Sequence, residues 1–236
     1  MKKLLLILMS VVMLVSLISG CQKKEQPTPV EEPVAQDEPK PVLGGWTVNN
    51  DVVTTVFTDE AKQAFDKAAA EYKEVELQPV VLLATQVVSG TNYSFLAKGN
   101  DEQWYIAVVY ADLQGNASIT SAQPIDVSAI KTTEKLPENL LGGWKAAEVS
   151  NAVTLPEEVG AKFNEAMQGY VGVNLSPLAL LATQVVSGTN YLILCAGNTV
   201  TANPVEGLYV ATLYVDTQGN AKLINVELFD VLAYQG

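Results

Sequence analysis

Side chains able to do covalent or acid–base chemistry are few in this 236-residue chain. There are two cysteines, Cys21 and Cys195. A cysteine nucleophile works as the thiolate and needs a nearby base or cation to form it. The chain has no histidine, and all 14 of its basic residues are lysines. Ser-His-Asp and Cys-His systems are therefore excluded, as are histidine-ligated zinc and an arginine finger for phosphoryl transfer. Cys195 stands in the apolar run Tyr191-Leu192-Ile193-Leu194-Cys195-Ala196, which reads as a buried strand carrying an inert thiol. Carboxylates number 26, and two recur in matching contexts: Asp112 in Asp-Leu-Gln-Gly-Asn and Asp216 in Asp-Thr-Gln-Gly-Asn. Both sit at turn positions that Asp favours, in separate copies of a repeat, so they do not form an acid–base pair. No catalytic residue, metal site or cofactor is expected, and the chain reads as a non-enzyme. What remains is the pentapeptide Gln-Val-Val-Ser-Gly, present twice. Its chemistry is that of binding: an apolar tip on a tight turn that a cleft can desolvate.

Charge narrows the choice of partner. The formal net charge is −12, which disfavours nucleic acid, because phosphate binding draws on clustered Lys and Arg. Hydrophobic residues make up 48% of the chain, enough for a real core.

The elements that must position these pentapeptides come in two copies. Leu43-Gly44-Gly45-Trp46 recurs as Leu141-Gly142-Gly143-Trp144, at an offset of 98. The dodecapeptide that opens at Leu82 and closes at Tyr93 recurs identically from Leu180 to Tyr191 at the same offset. The stretch from Tyr110 to Ala117 matches that from Tyr214 to Ala221 at an offset of 104, so the second copy carries six extra residues between Asn198 and Tyr209. A period this long indicates tandem domains. The boundary falls at the charged stretch 131–140, which contains Pro137.

Within one copy, residues 46–57 are rich in Val and Thr and read as a strand. Thr58 offers an N-cap, with Asp59 and Glu60 in the first turn. Ala61, Ala64, Phe65, Ala68, Ala69 and Tyr72 then share a helical face. In the second copy Pro156 opens the helix, and Val159, Phe163, Ala166, Met167 and Tyr170 form its stripe. Strand-length apolar runs follow at 80–88, 91–97, 104–110 and 117–127, with turns at Gly99-Asn100 and Gln114-Gly115-Asn116. The expected order is β-α-β-β-β-β, with the single helix as the only cover for the sheet.

The amino terminus reads as an address. Lys2 and Lys3 precede an apolar run over 4–18, and a small-residue end leads to Cys21. This is the pattern of a secretory signal. The ending Leu17-Ile18-Ser19-Gly20-Cys21 resembles the lipobox of bacterial lipoproteins, which implies cleavage before Cys21 and lipidation of that cysteine. Residues 1–20 are then the signal, and the mature body carries 12 lysines against 26 acids. At −14 it is repelled by anionic lipid, so the acyl chains alone would hold it. Residues 21–42 are rich in Pro, Glu, Gln and Lys and read as an extended, disordered tether. The expected location is the extracytoplasmic face of a bacterial cell envelope.

The repeats resemble cystatins, the non-covalent inhibitors of papain-like cysteine proteases. The likeness rests on a Gly-Gly start, one helix, a Gln-x-Val-x-Gly hairpin and a following Asn-Tyr, all present twice. It implies an α+β fold of two cystatin-like domains, 43–132 and 141–236, each with one helix packed on a four- to five-stranded antiparallel sheet. In that family a glycine-bearing trunk and two hairpin loops form a wedge that plugs the protease cleft. The resemblance assigns Gly44, Gly45, Gln86, Val87, Val88, Ser89 and Gly90 to the wedge of the first copy. It assigns Gly142, Gly143, Gln184, Val185, Val186, Ser187 and Gly188 to that of the second. The family's second loop usually presents Pro-Trp before Gln-Gly; here the corresponding pairs are Asp112-Leu113 and Asp216-Thr217, so Leu113 and Thr217 hold the second-loop contact positions. The implied partner is a papain-like cysteine protease or, on the same scaffold without inhibition, another extracytoplasmic protein or peptide.

Overall fold

A computed structural model of the chain describes residues 44–50, 52–53, 55–127, 143–148 and 155–235. The expected signal, Cys21, the tether, the 131–140 boundary and Gly142 lie outside the described residues.

The first repeat contains β1 (Trp46–Val48), α1 (Asp59–Glu71), β2 (Leu77–Val88), β3 (Gly90–Gly99), β4 (Trp104–Ala111) and β5 (Ala117–Pro124). The second contains β6 (Lys145–Ala146), α2 (Glu157–Met167), β7 (Val173–Val186), β8 (Gly188–Thr199), β9 (Glu206–Val215) and β10 (Ala221–Leu228), closed by a 3₁₀ turn at Val231–Tyr234. Each repeat is a five-stranded antiparallel sheet with its strands in chain order. The fold class is α+β. The six extra residues of the second repeat lengthen the β8–β9 hairpin, where the Thr199 hydroxyl accepts a hydrogen bond from the Val205 N–H at 2.7 Å.

Local chemistry sets the element ends. The Thr58 side chain caps α1 by accepting the Ala61 N–H at 3.2 Å, and Asp59 and Glu60 occupy the positive end of the helix. Helix α2 starts after Pro156 and stops at Met167. Tyr170, expected on its stripe, lies beyond the end because Gly169 and Gly172 flank it and glycine sustains a helix poorly. The strand expected over 46–57 is also cut short. Asn49 turns inward, its side-chain amide donating to the Leu82 carbonyl at 3.0 Å, and the chain then turns at Val52 and Val53. Asparagine's side-chain hydrogen bonding outweighs the β-propensity of the valines and threonines that follow.

Side chains alternate across each sheet except where β-bulges interrupt the register, as at Pro79/Val81 and Pro177/Ala179. In the first repeat Leu82, Phe95, Ala97, Tyr105, Ala107 and Val109 face α1 and pack on Ala61, Phe65 and Ala68. Their neighbours Val81, Leu83, Leu96, Trp104 and Ile106 point the other way. In the second repeat Ile193, Cys195, Tyr209, Ala211 and Leu213 face α2, while Leu178, Leu181, Leu192, Leu194, Leu208 and Val210 point away. The two outward sets form a single hydrophobic cluster. Each sheet is thus covered by its own helix on one face and by the other repeat on the opposite face. The helix is not the sole cover, contrary to the sequence-based expectation. Burial on both faces also explains why β4 reads as an unbroken apolar run and β9 as one interrupted only by Thr212 after its Glu206-Gly207 start. At the seam the Trp104 indole N–H donates to the Leu181 carbonyl at 2.6 Å. Lys98 lies over the Trp104 ring, 4.7 Å from its centre, with its ammonium donating to the Glu102 carbonyl. Burial holds the Lys98 ammonium below its ordinary pKa.

Candidate functional site

The resemblance-assigned residues of the first repeat that are described gather at one edge of its sheet. Gly44 enters against the first hairpin, its N–H donating to the Val87 carbonyl at 3.1 Å. The Gln86 side-chain amide donates back to the Gly44 carbonyl at 3.0 Å. The Asn92 amide, across the hairpin, donates to the Gln86 side-chain oxygen at 2.6 Å. One glutamine thereby ties the trunk to both strands of the hairpin. Gly45 follows, half-buried, before Trp46 pairs with Gln86.

Ser89 is the tip, between paired Val88 and Gly90. Gly90 has φ +130°, a backbone conformation that side chains rarely adopt. A Cβ there would lie 2.2 Å from the Ala111 carbonyl oxygen and 3.1 Å from the Asp112 Cα. The close approach that glycine permits is therefore to the root of the second hairpin, inside the chain. The Tyr110 hydroxyl fastens the same contact by donating to the Ser89 carbonyl at 2.6 Å. First and second hairpins are one block.

The second hairpin is organised by Asp112. Its carboxylate accepts the Gln114 and Asn116 backbone N–H groups at 2.9 and 2.8 Å and the Asn116 side-chain amide at 2.7 Å. The Asn116 side chain, then its backbone N–H, hold the Asp112 carboxyl below the usual carboxylate range. Asp112 is fully engaged in turn formation, and Leu113 is turned outward. From the helix, Lys67 donates to the Gly115 carbonyl at 2.8 Å. A recess of about 290 Å³ lies below this loop, with Gly90, Thr91, Asp112 and Leu113 among its walls.

Apolar side chains face solvent at this edge. Val87 and Val88 are 37% and 40% exposed, Leu113 is 80% exposed, and Ser89 is exposed between the hairpins.

The second repeat rebuilds the same block. The Asn190 amide donates to the Gln184 oxygen at 2.9 Å, and the Tyr214 hydroxyl donates to the Ser187 carbonyl at 2.5 Å. Gly188 has φ +125°, and a Cβ there would lie 2.3 Å from the Val215 carbonyl oxygen. Asp216 accepts from Gln218 and from both nitrogens of Asn220, which lower its carboxyl in the same way. Lys162 donates to the Gly219 carbonyl. Gly143 is exposed; Val185 is 66% exposed, Val186 half-buried, and Thr217 exposed.

Sequence reasoning placed the tips but missed the staples. Asn92 and Asn190, and Tyr110 and Tyr214, lie within the repeated segments, so identity between copies is the signal that marks them. The two lysines carry no such signal. Lys162 aligns with Ala64, one turn from Lys67, yet both reach the glycine carbonyl of their own loop.

No grouping of His, Cys, Asp and Glu among the described residues is arranged to hold a metal ion. Cys195 is fully buried in the helix-facing core, and desolvation raises its pKa far above that of a free thiol. No helix of the described residues is long and apolar enough to cross a membrane. Compared with family models, curated proteins and solved structures, the chain matches none.

Proposed function

We propose that this protein is a lipid-anchored, extracytoplasmic cystatin-like protein that binds papain-like cysteine proteases non-covalently through its hairpin-tip edges. The observation that carries the reading is the block formed by Gly44, the Val87–Val88–Ser89 tip and Leu113. These are three chain segments cross-tied by Gln86, Asn92 and Tyr110 and exposing apolar side chains along one edge. Such a block is already ordered before binding, so little conformational entropy is lost in entering a cleft. Attachment falls to Cys21, and the tether would hold the body off the membrane.

The roles within the motif divide. Gln86 and Gly90 serve the fold, and Val87, Val88, Ser89 and Leu113 face the partner. A side chain at Gly90 would meet the Ala111 carbonyl and disturb the hairpin itself, so the binding test uses the outward-facing residues. The test is inhibition of papain by the purified Cys21→Ser chain, which cannot be acylated. Dose-dependent loss of papain activity at or below micromolar chain is expected, weakened at least tenfold by Val87→Glu with Val185→Glu. Full papain activity at tens of micromolar chain would refute inhibition. Loss of acyl labelling in Cys21→Ser cells tests the anchor.

A second reading is favoured by the second loops. They carry no aromatic anchor, and Thr217 puts a hydroxyl where the first repeat has leucine. The edge then holds an envelope protein or peptide without blocking catalysis. Undiminished binding to papain whose whole cleft is occupied by a covalent peptide inhibitor would favour this reading over inhibition.

A further inference from the structure

We propose that the chain holds two partner molecules at once, one at each tip edge, with the hairpin tips of the two repeats facing in different directions. The proposal rests on the protease-binding reading of the tips and adds their number and geometry.

The direction of each sheet follows from the contacts across the shared core. Trp104 begins β4, at the end of the first sheet farthest from its tip, and its indole donates to the Leu181 carbonyl in mid-β7. The reciprocal contact is also made. Gln235 follows the 3₁₀ turn after β10, at the end of the second repeat away from its own tip, and its amide donates to the Ser94 hydroxyl in mid-β3 at 2.9 Å. A third contact agrees. Glu206 begins β9 at the tip-distal end, and its carboxylate accepts the Asn50 side-chain amide at 2.7 Å, just beyond β1. In each case the tip-distal end of one repeat lies over the middle of the other. Two sheets running the same way could be offset to satisfy one such contact but not its reciprocal. The two sheets therefore do not run the same way, and their tips lead away from the shared core in different directions. Ser94 is about five residues from the Ser89 tip and Leu181 about six from Ser187; at roughly 3.3 Å per residue along a strand, each tip projects about 16–20 Å beyond the part of its strand that the other repeat touches.

That divergence leaves room for two partners. A globular partner of about 200 residues has a radius of gyration of about 16 Å, so holding two at once needs edges that diverge, as these do. The sites are unequal. The first presents Val87, Val88 and Leu113; the second presents Val185 and Thr217 with Val186 half-buried. Exchanging a buried leucine contact for a threonine makes the second site weaker by on the order of tenfold.

The mass of the complex decides the question. The Cys21→Ser chain is mixed with excess papain, its active-site thiol blocked by carboxamidomethylation, and separated by size-exclusion chromatography with light scattering. The expected mass is one chain with two papains. Val87→Glu and Val185→Glu each reduce it to one papain, and the double variant binds none. Both valines are exposed, so circular dichroism and melting temperature should stay at the parent values. A complex saturating at one papain, with either single variant abolishing it, would overturn the two-ended arrangement and leave protease binding standing. No complex at any concentration would overturn the protease reading itself.

Discussion

The first repeat ends in a tip of two exposed valines beside an exposed Leu113; the second keeps one strongly exposed valine and puts Thr217 in the leucine's place. Behind the tips the repeats are near-copies. Each has a glutamine held by an asparagine, a tyrosine hydroxyl on the tip serine carbonyl, a glycine against the second-hairpin backbone and an aspartate closing the second turn. The shared Gln, Asn, Tyr, Gly and Asp bond inward, the shared Val-Val-Ser tip faces outward, and the outward contact that differs is Leu113 against Thr217. Repetition in this chain therefore marks the scaffold and the first-hairpin tip alike, while the second-loop contact varies on it.

The shared core extends the comparison to the cluster between the sheets. Trp104 of the first repeat corresponds to Leu208 of the second, and both belong to the inter-sheet cluster. Trp104→Ala is expected to lower stability by about 3–5 kcal/mol and Leu208→Ala by about 2–5 kcal/mol. Denaturant unfolding followed by fluorescence and circular dichroism would show one coincident transition moved by either change. Two separate transitions, with only one moved by each change, would break the claim of a common core.

The tip glycines come next. Gly90→Ala and Gly188→Ala force an unfavourable φ and a Cβ contact of 2.2 or 2.3 Å with a backbone oxygen. Each is expected to cost about 1–3 kcal/mol, and nearly equally, as read by the denaturation midpoint. A tolerated substitution in one repeat alone would show that its hairpins are not locked together.

A smaller difference lies mid-sheet. The Thr212 hydroxyl is buried without a partner among the described residues, and its counterpart in the first repeat is Val108. Thr212→Val should raise stability by about 1 kcal/mol, and Val108→Thr should lower it by a similar amount. The melting temperature checks both.

Acid has the mildest effect. Asp112 and Asp216 have folded pKa values below those of the unfolded chain, so their contribution is present above the ordinary carboxylate range and fades as pH falls through the lowered values. Amide resonances of Gln114, Asn116, Gln218 and Asn220 should titrate together, with midpoints below those of exposed aspartates. An ordinary midpoint at either loop would remove that aspartate from its turn.

Most of the strand and helix order was legible in the sequence because periodicity and capping are local. The Thr58 cap, the Gly90 hairpin and the Asp112 turn each depend on residues a few positions apart. The face-to-face sheets were not legible as such. Runs such as Trp104-Tyr105-Ile106-Ala107-Val108-Val109 announce two buried faces, but which surface covers the second depends on contacts between residues far apart in sequence. The Gln86 tie to Gly44 spans 42 positions and was equally hidden. Repetition pointed to Gln86 and Gly90 as notable but could not say whether they faced inward or outward.

The central claim is that the tip edges are where a partner binds. Amide shift mapping of the ¹⁵N-labelled chain against blocked papain tests it most directly. Shifts are expected at Gly44, Val87, Val88, Ser89 and Leu113, and at Val185 and Ser187 in the second repeat. Shifts confined to the outer faces of α1 and α2 or to the β3–β4 and β8–β9 hairpins, or none with papain in excess, would contradict it.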